Sequence, residues 1–124
     1  GHTGVDEQTA MIFGYEDDKM ALLSCAIMTQ MPRDLYIVGD YGYIQIPNVW
    51  YAQTAILRLH NKEDLVVNLP IEGNGYNYEA AEVVRCLQAG KLESDIMPLD
   101  ESLAIIGTLD KVRQQIGLNY PFEV

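Results

Sequence analysis

The chain is short of positive charge, of cysteine and of histidine. Lys and Arg together number 8 against 18 Asp and Glu, a formal net charge of −10 over 124 residues. Nucleic acid and anionic membrane surfaces are bound through basic patches. Cations such as Arg33, Arg58, Lys62, Arg85, Lys91, Lys111 and Arg113 are scattered instead, so neither partner is expected. The two cysteines, Cys25 and Cys86, stand far apart in apolar surroundings, with no CxxC and no Cys/His cluster. They read as reduced core residues of a cytoplasmic protein. Beyond His2 the one histidine is His60, at the end of an expected strand, where it reads as a solvated turn residue. With no second imidazole and no nucleophile–base pair, no metal ligand and no catalytic residue is expected in this chain. No apolar run reaches the roughly 18 residues of a membrane span, and no signal peptide opens the chain. Gly1-His2 reads as a cloning remnant, so the domain is taken as residues 3–124.

What is present is a hydrophobic fraction of 48% and a length suited to one domain. The first part of the chain reads as strands. Residues 6–16 alternate Met11, Phe13 and Tyr15 with Ala10, Ile12 and Gly14. Asp17-Asp18 marks a turn, and Lys19 to Gln30 makes a second strand, giving an antiparallel hairpin. Both faces of that second strand are largely apolar: Met20, Leu22, Ser24, Ala26 and Met28 on one, Ala21, Leu23, Cys25, Ile27 and Thr29 on the other. A sheet with one wet face alternates apolar with polar, so both sides are expected to be covered. Met31-Pro32 breaks the run. Further strands are expected at Leu35–Gly39, Tyr43–Ile46, Thr54–His60 and Leu65–Leu69, separated by short polar turns.

The period then changes to 3.6. A helix is expected from Tyr76 or Asn77 to Ala89, with Ala80, Val83, Val84 and Leu87 as its stripe, Asn74 or Asn77 as cap and Gly90 as stop. Pro98 opens a second helix whose stripe is Leu99, Leu103, Ile106, Leu109, Val112 and Ile116, stopped by Gly117. The tail Leu118-Asn119-Tyr120-Pro121-Phe122 is apolar enough to dock. The expected fold is α+β: an open-faced, predominantly antiparallel six-stranded sheet with two helices packed on one face. The other, apolar face calls for a second copy of the chain or a neighbouring domain.

Gly73-Asn74-Gly75 is not a phosphate loop, because Tyr78 stands where a third glycine belongs and no parallel βαβ unit precedes it. The acid pairs Asp17/Asp18, Glu63/Asp64 and Asp100/Glu101 sit in turns or at a helix start, where solvation and the helix dipole account for them. Trp50 lies in a loop after Pro47. It reads either as a plug for the sheet edge or as the flat wall of a small-molecule pocket. Tyr76 and Tyr78 flank a helix N-terminus, with core packing and ligand contact both open.

The wording Gly73-Asn74-Gly75-Tyr76-Asn77-Tyr78-Glu79-Ala80, followed by Val83-Val84-Arg85-Cys86-Leu87, resembles the C-terminal domain of the Gfo/Idh/MocA oxidoreductases, in the dihydrodiol dehydrogenase-like branch. Gly4-Val5-Asp6-Glu7-Gln8-Thr9-Ala10, Met97-Pro98-Leu99-Asp100-Glu101-Ser102-Leu103 and Gly117-Leu118-Asn119-Tyr120-Pro121-Phe122-Glu123 agree, so the resemblance spans the chain after its first two residues. It implies an N-terminal Rossmann domain, absent from this chain, that binds NAD or NADP, and a catalytic lysine in a Glu-Lys-Pro motif that is also absent. This chain would then be the substrate-pocket and oligomerisation domain of an enzyme acting by hydride transfer on a sugar, polyol or diol. It would bind no cofactor and be inactive by itself. The resemblance further implies a homodimer or higher homo-oligomer through the open sheet face, with loops of this domain walling the substrate site. Trp50 falls where that branch has a pocket tryptophan, and Asn74 and Tyr76 fall at the junction that faces the cofactor domain. At Asp17-Asp18 relatives usually carry a glycine, which leaves the turn type open. The alternative is a freestanding α+β dimerisation or small-ligand-binding module without catalytic activity.

Overall fold

A computed structural model describes residues 1–120. Its elements follow in the order β1 (Gln8–Gly14), β2 (Met20–Ala26), β3 (Leu35–Gly39), β4 (Gly42–Ile46), β5 (Thr54–Leu59), β6 (Leu65–Asn68), α1 (Tyr76–Gln88) and α2 (Leu99–Ile116). Every strand pairing is antiparallel. The fold is α+β, with six strands before two helices. The strands form two ladders, β1-β2 and β3-β4-β5-β6, where a single six-stranded sheet was expected. The chain accordingly divides into two compact units, Pro32–Ala89 and Gly1–Met31 with the chain from Gly90 onward.

The hairpin unit shows why β2 stops early. Gln8 pairs with Ala26, and Ile27 donates one further bond from its N–H to the Glu7 carbonyl at 2.9 Å. Ahead of Glu7, Gly4 takes φ 83 and turns the chain away. Residues 28–30 therefore have no partner from β1, and the strand ends at Ala26 instead of Gln30. The hairpin turn places both Asp17 and Asp18 in the left-handed region, at φ 58 and 55. Aspartate tolerates that region better than most side chains, and Tyr15 N–H closes the turn on the Lys19 carbonyl at 2.9 Å. Met11 and Phe13 lie half-buried on one face of the hairpin, while Ile12, Met20 and Leu22 on the other are exposed. Cys25, expected in the core, is exposed on β2.

The second helix, α2, belongs to the same unit. Asp100 and Glu101 sit in its positive first turn. At its end Gly117 turns left-handed at φ 68, and the N–H groups of Leu118 and Gly117 bond the carbonyls of Arg113 and Gln114, the paired closure of a Schellman end. The tail docks at Tyr120, whose hydroxyl donates to Asp6 at 3.4 Å and whose ring lies 4.4 Å from the Arg113 guanidinium. Pro121 and Phe122 lie outside the described residues.

The larger ladder is a meander. Its register puts Leu35, Ile37, Ile44, Ile46, Ala55, Leu57, Leu65 and Val67 on one face. The other face carries Tyr36, Val38, Tyr43, Gln45, Thr54, Ile56, Arg58, Val66 and Asn68. One side is thus aliphatic and the other mixed, with the polar and aromatic side chains of the ladder on it. Gly42 is required where β4 meets β5, since a Cβ there would stand 2.0 Å from the Arg58 carbonyl oxygen. Helix α1 begins after Gly75 (φ 92), and Gly90 ends it at φ 67. Cys86 is its one buried residue. The stripes expected to face inward, Val83, Val84 and Leu87 on α1 and Leu99, Leu103, Ile106 and Leu109 on α2, remain exposed. No helix among the described residues is long and apolar enough to cross a membrane.

Candidate functional site

Two loops of the Pro32–Ala89 unit converge. The first leaves β4 at Pro47. Asn48 takes a left-handed φ of 48, and Val49–Tyr51 winds into one 3-10 turn, with Tyr51 N–H bonded to the Asn48 carbonyl at 2.8 Å. Trp50, in the middle of that turn, is 76% exposed. The second loop joins β6 to α1 and carries Gly73, Asn74 and Gly75. The Tyr51 hydroxyl donates to the Gly73 carbonyl at 3.3 Å. Gln53 adds two ties, accepting the Leu69 N–H on its carbonyl at 2.8 Å and the Ile71 N–H on its side-chain oxygen at 3.2 Å. The second loop is further closed on the helix by the Glu72 N–H, which donates to the Tyr78 hydroxyl at 3.0 Å.

The structure places the three candidate residues, Trp50, Asn74 and Tyr76, on these two tied loops. Asn74 does not cap the helix. Gly75 holds the cap position, and the Asn74 side-chain oxygen accepts the Tyr76 N–H at 3.2 Å. The sharp left-handed turns at Gly73 and Gly75 put Asn74 one residue too early for the cap and leave it bracing the turn. Tyr76 projects its ring outward, 70% exposed.

Three contributors went unrecognised in the sequence: Arg33, Tyr51 and Gln53. The Arg33 guanidinium stands 5.1 Å from the Trp50 ring centroid, and its carbonyl accepts the Val49 N–H at 2.8 Å. The signal for it was the hairpin register. Leu35 faces Ile46, and continuing that ladder sets Arg33 opposite Asn48, beside the tryptophan. Tyr51 and Gln53 carried no such signal, because their partners lie across a tertiary contact.

A second polar constellation lies on the mixed face of the same ladder. The Arg58 Nε donates to Asp64 at 2.9 Å, and its guanidinium lies 5.7 Å from the Tyr43 ring. Gln45 bridges from Arg58 to Asp34, donating to the Asp34 carboxylate at 2.7 Å, and Tyr36 donates to the same carboxylate at 3.3 Å. The bond to Asp64, with that to Tyr43, raises the Arg58 pKa and keeps it cationic. Partial desolvation, then the Asp34 charge, raises the Tyr36 phenol above its ordinary value and keeps it neutral. A cavity of about 360 Å³ opens nearby, lined in part by Val38, Tyr43, Arg58 and His60. His60 itself is exposed, with its N–H on the Tyr41 carbonyl at 3.1 Å.

Chemically, the Trp50 loops offer a flat apolar surface, a guanidinium and an amide, which bind and orient. They carry no histidine, cysteine or lysine. No protein-family model matches the chain. Trans-1,2-dihydrobenzene-1,2-diol dehydrogenase of Xenopus tropicalis is 35% identical over 96% of the chain. Proteins of the same name from Danio rerio and Homo sapiens are 32% and 30% identical, over 95% and 96% of the chain. This chain is homologous to part of the dihydrodiol dehydrogenases. It spans about 38% of the length of the curated relatives that it matches. The dihydrodiol dehydrogenase similarity runs through both compact units, so it includes the Trp50 loop and the Gly73–Gly75 loop alike.

Proposed function

We propose that the chain is the C-terminal, substrate-pocket and oligomerisation domain of an NAD(P)-dependent oxidoreductase of the Gfo/Idh/MocA family. Its substrate is a sugar, polyol or diol, and the enzyme works in the cytoplasm. The observation that carries this reading is the near-complete match of the chain to little more than a third of each dihydrodiol dehydrogenase. Dehydrogenation of an alcohol needs a hydride acceptor and a group to take the hydroxyl proton. Neither fits here. The one glycine-rich turn follows an antiparallel strand, has no third glycine and has its Tyr78 hydroxyl engaged by Glu72. In this reading the nicotinamide cofactor and the proton-transferring lysine belong to the remainder of the enzyme.

In this reading Trp50 forms a wall against the substrate ring, and Asn74 and Tyr76 line the adjoining loop. The 3-10 turn and the Tyr51–Gly73 bond hold wall and loop together. The exposed apolar strand faces and helix stripes are surfaces for the cofactor domain and for a second copy of the chain. The test is a substrate screen on the full-length protein with both nicotinamide cofactors, using trans-1,2-dihydrobenzene-1,2-diol and a panel of sugars and polyols. Cofactor-dependent turnover of one of them is expected. Calorimetric titration of the 124-residue chain with NADH is expected to give no saturable heat; saturable binding there would refute the domain assignment.

A further inference from the structure

Arg33 differs from every other arginine of the chain. Arg58 pairs with Asp64 at 2.9 Å, Arg85 with Glu82 at 2.7 Å and Arg113 with Asp110 at 3.3 Å. In a chain where 18 acids face 8 bases, Arg33 has no carboxylate within ion-pair distance among the described residues. The adjacent Asp34 does not pair with it; its Oδ2 accepts from Gln45 at 2.7 Å and from Tyr36 at 3.3 Å. The Arg33 guanidinium lies instead over the one tryptophan, 5.1 Å from the ring centroid. Its backbone carbonyl holds the Val49 N–H at 2.8 Å, so the same residue anchors the turn that carries Trp50.

A guanidinium held over an indole by cation–π attraction spends none of its N–H donors on the ring, and those donors match a carboxylate in two parallel bonds. The pair therefore offers a flat surface with an unspent cationic fork beside it. We infer that Arg33 is a specificity-determining residue of the Trp50 site, which takes a hydroxylated ring bearing a carboxylate in preference to the neutral ring. This rests on the reading of Trp50 as the pocket wall. A charge-assisted bidentate contact at a partly solvated position corresponds to a preference of about tenfold.

The experiment measures dissociation constants by calorimetry on the full-length protein with cofactor present. The probes are trans-1,2-dihydrobenzene-1,2-diol and the same diol with a ring carboxylate. The acid is expected to bind about tenfold more tightly, and less so as ionic strength rises. Arg33→Met is expected to abolish the preference between the two ligands, and Arg33→Lys to retain part of it, since charge remains but the fork is lost. Trp50→Ala is expected to weaken both ligands. Equal affinities in the wild type, or a preference that survives Arg33→Met, overturn the inference and leave the pocket reading intact. Binding of neither probe, or binding indifferent to Trp50→Ala, overturns the pocket reading and this inference with it.

Discussion

At the scale of single residues, backbone geometry makes the firmest demands. Gly42 has φ 155, and a Cβ there would meet the Arg58 carbonyl oxygen at 2.0 Å. Backbone cannot swing aside as a side chain can, so β4 and β5 would have to separate. Gly42→Ala is expected to destabilise the chain by at least about 2 kcal/mol, read from the denaturant midpoint. The hairpin turn is the opposite case. Asp17 and Asp18 both occupy left-handed backbone that an L side chain adopts at a cost. Asp18→Gly is expected to raise the same midpoint by up to about 1 kcal/mol, since glycine enters that region without steric penalty. The residue-level weakness of the sequence reading was Asn74. A cap assignment needs the φ of its neighbours, and the left-handed Gly73 and Gly75 shift the helix start past it.

At the scale of elements, the loop before α1 depends on side chains far away in sequence. Removing one phenol tests this. Tyr51→Phe deletes the bond to the Gly73 carbonyl, whose net worth is about 1 kcal/mol. The amides of Ile71 to Tyr76 are expected to exchange faster with solvent in that variant, while those of β4 and β5 stay unchanged; equal exchange throughout would mean the loops are independent. The elements themselves were legible. β3, β5 and both helices begin and end within a residue or two of the positions set by period and by Pro and Gly punctuation. The composition of β2 is apolar to Gln30 and so suggests a longer strand, whereas its length is set by how much of β1 faces it. The Trp50 turn was legible only as an aromatic loop. The ties of this loop to Gly73 and Leu69 are contacts between segments that local pattern does not encode, whereas Arg33, placed over Trp50, could be reached by extending the β3–β4 register.

At the scale of the whole molecule, the two-faced apolar pattern of β2 read from sequence has a structural counterpart. Ile12, Met20 and Leu22 are exposed in the chain alone, as are the stripes of both helices. Apolar surface in such quantity is expected to find cover, because each Å² removed from water contributes about 25 cal/mol. The 124-residue chain is therefore expected to self-associate at micromolar concentration in sedimentation equilibrium, and a strict monomer would contradict the oligomerisation role. The division of the strands into two ladders was not legible, since alternation within a strand says nothing about which strand lies beside it.

In the proposed function this chain supplies the substrate wall while the rest of the enzyme supplies the cofactor. Steady-state kinetics of the full-length Trp50→Ala variant separate the two roles, with trans-1,2-dihydrobenzene-1,2-diol varied at saturating cofactor and the cofactor varied at saturating diol. Loss of a well-packed aromatic wall is expected to raise KM for the diol about tenfold or more and to leave KM for the cofactor unchanged. An unchanged KM for the diol, or a loss confined to the cofactor, would contradict the account.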